Sequence, residues 1–80
     1  MAKPEERVVE DNLLSERIQI ERKQFYFDLK ENIRGRFLKI TEDVGGRRDT
    51  IIIPSTGLGL FKDTIELAIE ADKREGNGNI

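Results

Sequence analysis

The sequence is organised around RKQFYFDLKENIRGRFLKI, residues 22–40. This stretch contains two strand-like runs, residues 25–30 and 36–41, joined by a short polar connection. Because successive side chains of a strand point to opposite faces of a sheet, the two runs are predicted to share one apolar face. That face would carry Phe25, Phe27, Leu29, Leu38 and Ile40. The same alternation puts Phe37 on the polar face beside lysines, where an aromatic ring offers a stacking platform for unpaired nucleobases.

The rest of the chain predicts two more strands and a helix. Residues 14–21 alternate between apolar and polar side chains, and residues 50–53 are β-branched throughout, so both are predicted to be strands. Gly45 and Gly46 indicate a hairpin loop before the last strand. From about Thr56 the apolar spacing changes to that of an amphipathic helix opening at a hydroxyl residue. The predicted fold class is therefore α+β, a four-stranded antiparallel sheet followed by one C-terminal helix.

The chain is predicted to form one small domain with polar ends. We interpret residues 1–12 as a flexible N-terminal arm, residues 13–73 as the folded unit and residues 74–80 as a disordered C-terminal tail. One helix can cover about half of such a sheet, and the apolar stripe of residues 58–69 is wider than that role requires. We therefore expect a homodimer through the C-terminal helix, because so small a domain leaves too much apolar surface exposed.

The composition disfavours several classes of protein. The chain has no cysteine and no histidine, which excludes disulfides and metal sites built from these residues. It has no phosphate-binding loop and no convincing pair of catalytic carboxylates, so we expect neither an enzyme nor a cofactor. No apolar run approaches the roughly 18–20 residues that a membrane span needs, and the N-terminus does not resemble a signal peptide. We expect a cytoplasmic protein with no membrane partner and no small-molecule substrate.

The charges are distributed unevenly, although the net charge is only −2. Residues 17–48 contain nine cations and five anions, whereas the rest of the chain contains five cations and eleven anions. The sheet segment is therefore basic, and the ends and the helix are acidic. This distribution favours an anion-binding surface on one side of the domain.

The stretch FYFDLKENIRGRFLKI, residues 25–40, resembles the PUR repeat of the PUR-alpha family of purine-rich-element binding proteins. Residues 15–23 and the Gly-Gly-Arg-Arg loop extend the resemblance to about three quarters of the chain. It implies a ββββα repeat similar to the Whirly class, of which two copies intertwine through their helices, here as a homodimer. It also implies binding of single-stranded, purine- or G-rich DNA or RNA, and a role in transcriptional or post-transcriptional regulation. A nucleoid-associated location would follow in a bacterium, and a nuclear one would be open in a eukaryote.

The resemblance also assigns candidate nucleic-acid-binding residues. Four positions match the family's binding motif at its spacing: Lys30, Asn32, Arg34 and Phe37. Lys23 matches a further contact position, and the family's arginine after the third strand corresponds to either Arg47 or Arg48. Glu21 and Arg22 depart from the pattern, because the family often has small or amide residues that contact bases there.

Several of these residues have a simpler alternative role. Phe37 would be a core residue if the strand phase were shifted by one, and Asn32 is as typical of a turn as of base recognition. Tyr26 could stack on a base or support the sheet. The alternative function is a dimeric protein-interaction module that retains the fold, and the salt dependence of binding discriminates between the two.

Overall fold

Four antiparallel strands are followed by a 3-10 turn and one long helix. The computed structural model describes residues 10–78. The strands are β1 (Asp11–Ile20), β2 (Lys23–Asn32), β3 (Gly35–Val44) and β4 (Arg47–Pro54), and they lie side by side in chain order. The 3-10 turn (Ser55–Gly57) leads into α1 (Leu58–Gly78). The α+β prediction of a four-stranded antiparallel sheet with one C-terminal helix is confirmed.

Each pair of neighbouring strands is joined by a connection of two residues, shorter than the sequence predicted. The β3–β4 turn has Gly45 at φ 60° and Gly46 at φ 91°, a left-handed conformation that glycine adopts without strain. The β1–β2 turn has Glu21 at φ 55°, which is uncommon for a residue with a side chain. Because these turns are tight, hydrogen-bonded pairing continues to their edges and every strand is longer than its predicted core.

The structure moves both predicted boundaries of the folded unit. β1 begins at Asp11, so two residues assigned to the N-terminal arm belong to the sheet. α1 continues to Gly78, so residues 74–78 are helical although they were assigned to a disordered tail. Extending an existing helix adds one hydrogen bond for each residue that is fixed, and a glycine need not end it. The remainder of the predicted arm, residues 1–9, and residues 79–80 lie outside the described residues.

Strand pairing divides the sheet into an apolar and a polar face. Directly paired residues share a face, so the register assigns each side chain. The apolar face carries Leu14, Ile18, Ile20, Phe25, Phe27, Leu29, Leu38, Ile40, Ile51 and Ile53. The polar face carries Ser15, Arg17, Tyr26, Asp28, Lys30, Phe37, Lys39, Thr41, Arg48, Thr50 and Ile52. The predicted alternation in β2 and β3, including the position of Phe37 on the polar face, is therefore confirmed.

The apolar face is not covered by the helix of the same chain. α1 contacts the 3-10 turn and has only marginal contact with any strand, so it does not cover the apolar face of its own sheet. Among residues 10–74, Ile53 is the only buried hydrophobic residue. The radius of gyration is 17.1 Å, against about 12 Å for a compact domain of this length. The part of a single chain that the structure describes therefore encloses no hydrophobic core.

The helix is itself amphipathic and exposes its apolar side. Phe61, Ile65 and Ile69 lie along one stripe and are 39%, 49% and 47% exposed. Leu60 and Leu67 widen this stripe and are more exposed still. Over residues 10–78, no helix has the length and apolar character needed to cross a membrane.

Candidate nucleic-acid interface

Phe37 lies on the polar face near the start of β3. It is paired directly with Lys30 of β2 and with Pro54 of β4, and it is half-buried. Alternation from Leu38, which belongs to the apolar face, requires this orientation. An aromatic side chain is thus held between a cation and a proline on the side of the sheet that carries no apolar core.

The β2–β3 turn places Asn32 and Arg34 beside Phe37. The backbone N–H of Arg34 donates to Asn32 Oδ1 at 2.8 Å, which is the side-chain hydrogen bond of an Asx turn. Gly35 follows at φ 133°, a conformation that favours glycine. The turn role of Asn32 is therefore observed. Its amide Nδ2 has two further N–H groups to donate, and the Arg34 side chain is exposed at the tip of the hairpin.

A shallow hollow adjoins the Phe37 side chain. It measures about 220 Å³ and is lined by Asn32, Arg34, Gly35, Arg36, Phe37, Ile52 and Pro54. Ile52 and Pro54 were not among the predicted site residues. The signal that could have found them is the alternation of β4, because one residue of the apolar run at 51–53 must share the face of Thr50.

Arg48 lies on the polar face, at the end of the sheet opposite Phe37. Its guanidinium carbon is 5.3 Å from the centre of the Tyr26 ring, and its Nε donates to Asp43 Oδ2 at 3.0 Å. The Tyr26 hydroxyl donates to Gln24 Oε1 at 3.0 Å. Tyr26 therefore helps to orient Arg48 on the polar face, and both of its predicted roles stay predictions.

Lys23 and Arg47 are not brought together with Phe37. Both lie on the apolar face, because Lys23 alternates in register with Phe25 and Arg47 is paired with Val44. The Lys23 ammonium is 3.1 Å from Glu42 Oε2, also on that face. Lys23 lies between the predicted strands at residues 14–21 and 25–30, whereas in the structure β2 begins at this residue, which fixes its orientation. Of the predicted residues, the structure groups Lys30, Asn32, Arg34 and Phe37, with Arg48 farther along the same face.

The polar face has an excess of positive charge. Its strand residues include four cations, Arg17, Lys30, Lys39 and Arg48, and two carboxylates, Asp28 and Asp43. Asp28 accepts a hydrogen bond from the Ser15 hydroxyl at 2.6 Å, and the Lys30 ammonium is 3.5 Å from Glu10 Oε1. The exposed Arg34 at the adjoining turn adds a further positive charge. The face therefore attracts anions, and salt will screen that attraction.

The fold and this face define a ββββα unit with a basic, aromatic-bearing sheet surface. A family model described as PurA ssDNA and RNA-binding protein matches residues 2–78, and the chain belongs to this family. Transcription factor Pur-alpha 1 of Arabidopsis thaliana is 48% identical over 63 residues, which cover 79% of this chain and 21% of that protein. Transcriptional regulator protein Pur-beta of Homo sapiens is 39% identical over 59 residues, which cover 72% and 19%.

Transcriptional activator protein Pur-alpha of Homo sapiens is also 39% identical over 59 residues, which cover 72% of this chain and 18% of that protein. The chain spans about a fifth of the length of these relatives. The similarity therefore identifies the family of the repeat, and it covers only a small part of each longer protein.

Proposed function

We propose that the chain binds single-stranded, purine-rich DNA or RNA on the polar face of its sheet, in a transcriptional or post-transcriptional regulator. The observation that carries this proposal is the position of Phe37 on that face, paired with Lys30 and next to the turn of Asn32 and Arg34. The names of the relatives, which describe transcription factors and regulators, support the regulatory role. The role proposed is binding, with no catalytic step.

Each group on this face has a defined task. The Phe37 ring stacks on a base, an interaction worth about 1–3 kcal/mol at sites of this kind. Lys30 and Arg48 meet phosphates, and Arg34 can approach the O6 and N7 acceptors of guanine. Purines offer the larger ring system for stacking, and guanine adds the acceptor pair that arginine recognises, so G-rich strands are the expected ligands.

The binding unit proposed is a homodimer in which helices are exchanged. The apolar face of the sheet is open, with Ile18 43% and Ile51 53% exposed, and α1 carries an apolar stripe that lies away from its own sheet. Covering the sheet of each chain with the helix of its partner buries both surfaces at once. Such a dimer presents two equivalent polar faces. We propose a cytoplasmic location, nucleoid-associated in a bacterium, with a nuclear location possible in a eukaryote.

Titration of a fluorescent, purine-rich single strand tests the proposal. Wild type and Phe37→Ala are compared at two salt concentrations, with a pyrimidine strand and a duplex of the same length as ligand controls. We expect wild-type affinity to fall as salt rises, and Phe37→Ala to lose about 1–3 kcal/mol of binding free energy. Because Phe37 lies outside the apolar face, we expect Phe37→Ala to leave the melting temperature and the oligomeric state unchanged. Both are measured as controls.

Two outcomes would contradict this assignment. If the wild type does not bind the strand even at low salt, the protein-interaction module becomes the better description of the polar face. If Phe37→Ala binds as tightly as the wild type, the stacking role of Phe37 is wrong even though the protein binds nucleic acid.

A further inference from the structure

Ile52 is an apolar side chain on the wrong face of the sheet for a core residue. It lies on the polar face, paired with Lys39, and is 54% exposed. The preceding residue, Ile51, is 53% exposed but lies on the apolar face. A strand needs only one of these side chains for its core, and a β-branched polar residue would serve the polar face equally well. By itself Ile52 would be an ordinary exposed apolar residue, so its significance depends on its neighbours on the polar face.

Two further apolar groups stand beside Ile52 on the polar face. Phe37 is paired directly with Pro54, and Ile52 is the diagonal neighbour of Phe37 on the same face. All three line the 220 Å³ hollow at the β2–β3 turn. The rim of this hollow is polar, since Asn32, Arg34 and Arg36 line it as well. It therefore combines an apolar floor with hydrogen-bond donors at its edge.

We propose that this hollow is a seat for one unstacked nucleobase, with Phe37, Ile52 and Pro54 contacting its ring and Asn32 and Arg34 donating to its edge. The proposal rests on the proposed function and adds to it two contact residues, Ile52 and Pro54. A flat, largely apolar ring with acceptors on its rim matches both parts of the lining. The Nδ2 of Asn32 and the guanidinium of Arg34 are donors, so the edge they recognise is one that presents acceptors, as guanine O6 and N7 do.

The seat predicts that one base of a bound strand matters more than its neighbours. A short, non-repetitive purine-rich strand is prepared as a set in which each position in turn is abasic, and each strand is titrated against wild-type protein. We expect one position to lower affinity by about fivefold or more when its base is absent, because a seated base loses its stacking contact.

Ile52→Thr then removes the apolar contact while keeping a β-branched residue in β4. We expect the full strand to bind about fivefold more weakly. The sensitive abasic position should cost less in the variant than in the wild type, because part of the contact made by the base is already lost. Ile51→Thr is the matched control, with the same change and nearly the same exposure on the other face. In Ile51→Thr, the same strand position is expected to be the sensitive one when its base is removed, even if the melting temperature changes.

The outcomes separate this inference from the proposed function. An affinity of Ile52→Thr equal to that of the wild type, or an abasic profile without one dominant position, would overturn the seat while leaving strand binding intact. Absence of binding by the wild type would overturn both. If Ile52→Thr folds poorly, the abasic profile of the wild type still tests the seat. The milder variant Ile52→Val, which removes a single methylene, should then show a smaller loss of affinity for the full strand.

Discussion

Replacing Ile65 by glutamine should dissociate the homodimer proposed above. Ile65 lies in the middle of the apolar stripe of α1, between Phe61 and Ile69, and is 49% exposed in the single chain. In the helix-exchanged dimer this exposed half is covered by the sheet of the partner. Glutamine is a good helix former, so the substitution removes apolar surface and adds an amide without breaking the helix.

The size of the effect follows from the exposure of Ile65. Burying an entire isoleucine stabilises by about 1.5–3 kcal/mol, so burying the exposed half contributes about 1 kcal/mol. A glutamine amide left without a partner at the interface costs about 1–3 kcal/mol more. A twofold dimer contains the site twice, so the total is about 4–8 kcal/mol per dimer. The dissociation constant should therefore rise by about three to six orders of magnitude.

Sedimentation equilibrium and thermal melting over a hundredfold range of protein concentration would measure this change. The wild-type melting temperature should rise with concentration, because association stabilises the folded chain by mass action. Glu66→Gln is the matched control, since it places the same residue one position along, on the polar side of α1. It breaks only the 3.5 Å ion pair with Lys62, worth about 0.3–0.5 kcal/mol.

Concentration-independent melting of the wild type, or equal behaviour of Ile65→Gln and Glu66→Gln, would refute the helix-mediated dimer. The first result would mean that the chain is stable alone despite its open apolar face. The second would mean that the interface lies elsewhere on the chain.

Two further predictions concern a turn and the far end of the polar face. Glu21→Asn should raise the free energy of unfolding by about 0.5–1 kcal/mol, because asparagine tolerates the left-handed conformation at φ 55°. An unchanged or lowered melting temperature would contradict this prediction. Arg48→Ala should weaken strand binding and reduce the slope of log affinity against log salt by about 1, whereas Arg47→Ala, on the apolar face, should leave that slope unchanged. Equal slopes for the two variants would remove Arg48 from the binding surface.

Much of the fold could be predicted from sequence patterns that span only a few residues. Alternation in β2 and β3 predicted both faces of the sheet, because the period of a strand is two and one buried face specifies the phase. The position of Phe37 is the clearest case. The same rule places Lys23 on the apolar face, but it could not be applied to Lys23 because the predicted strand began only at residue 25. The prediction for Lys23 failed because β2 was predicted too short. The ends of a strand are determined by the geometry of its turns, which cannot be predicted from the presence of polar residues alone.

The position of the helix was beyond the reach of the sequence alone. The apolar stripe of α1 predicts that one side is buried, but it does not distinguish the sheet of the same chain from that of a partner. The hollow at Ile52 and Pro54 was missed for a related reason. It is formed by residues that are distant in sequence from Phe37 and adjacent only through the β3–β4 register.

The position of β4 at the edge of the sheet carries a risk of aggregation that its flanking residues reduce. Residues 50–53 are β-branched and uncharged, and an exposed edge of this kind is a template for unwanted strand pairing. Arg47, Arg48 and Asp49 precede the run, and Pro54, which has no N–H to donate, ends it. Charges and a proline at these positions act as gatekeepers against growth of the sheet. A newly made chain can therefore remain unpaired at this edge while its apolar face is still open.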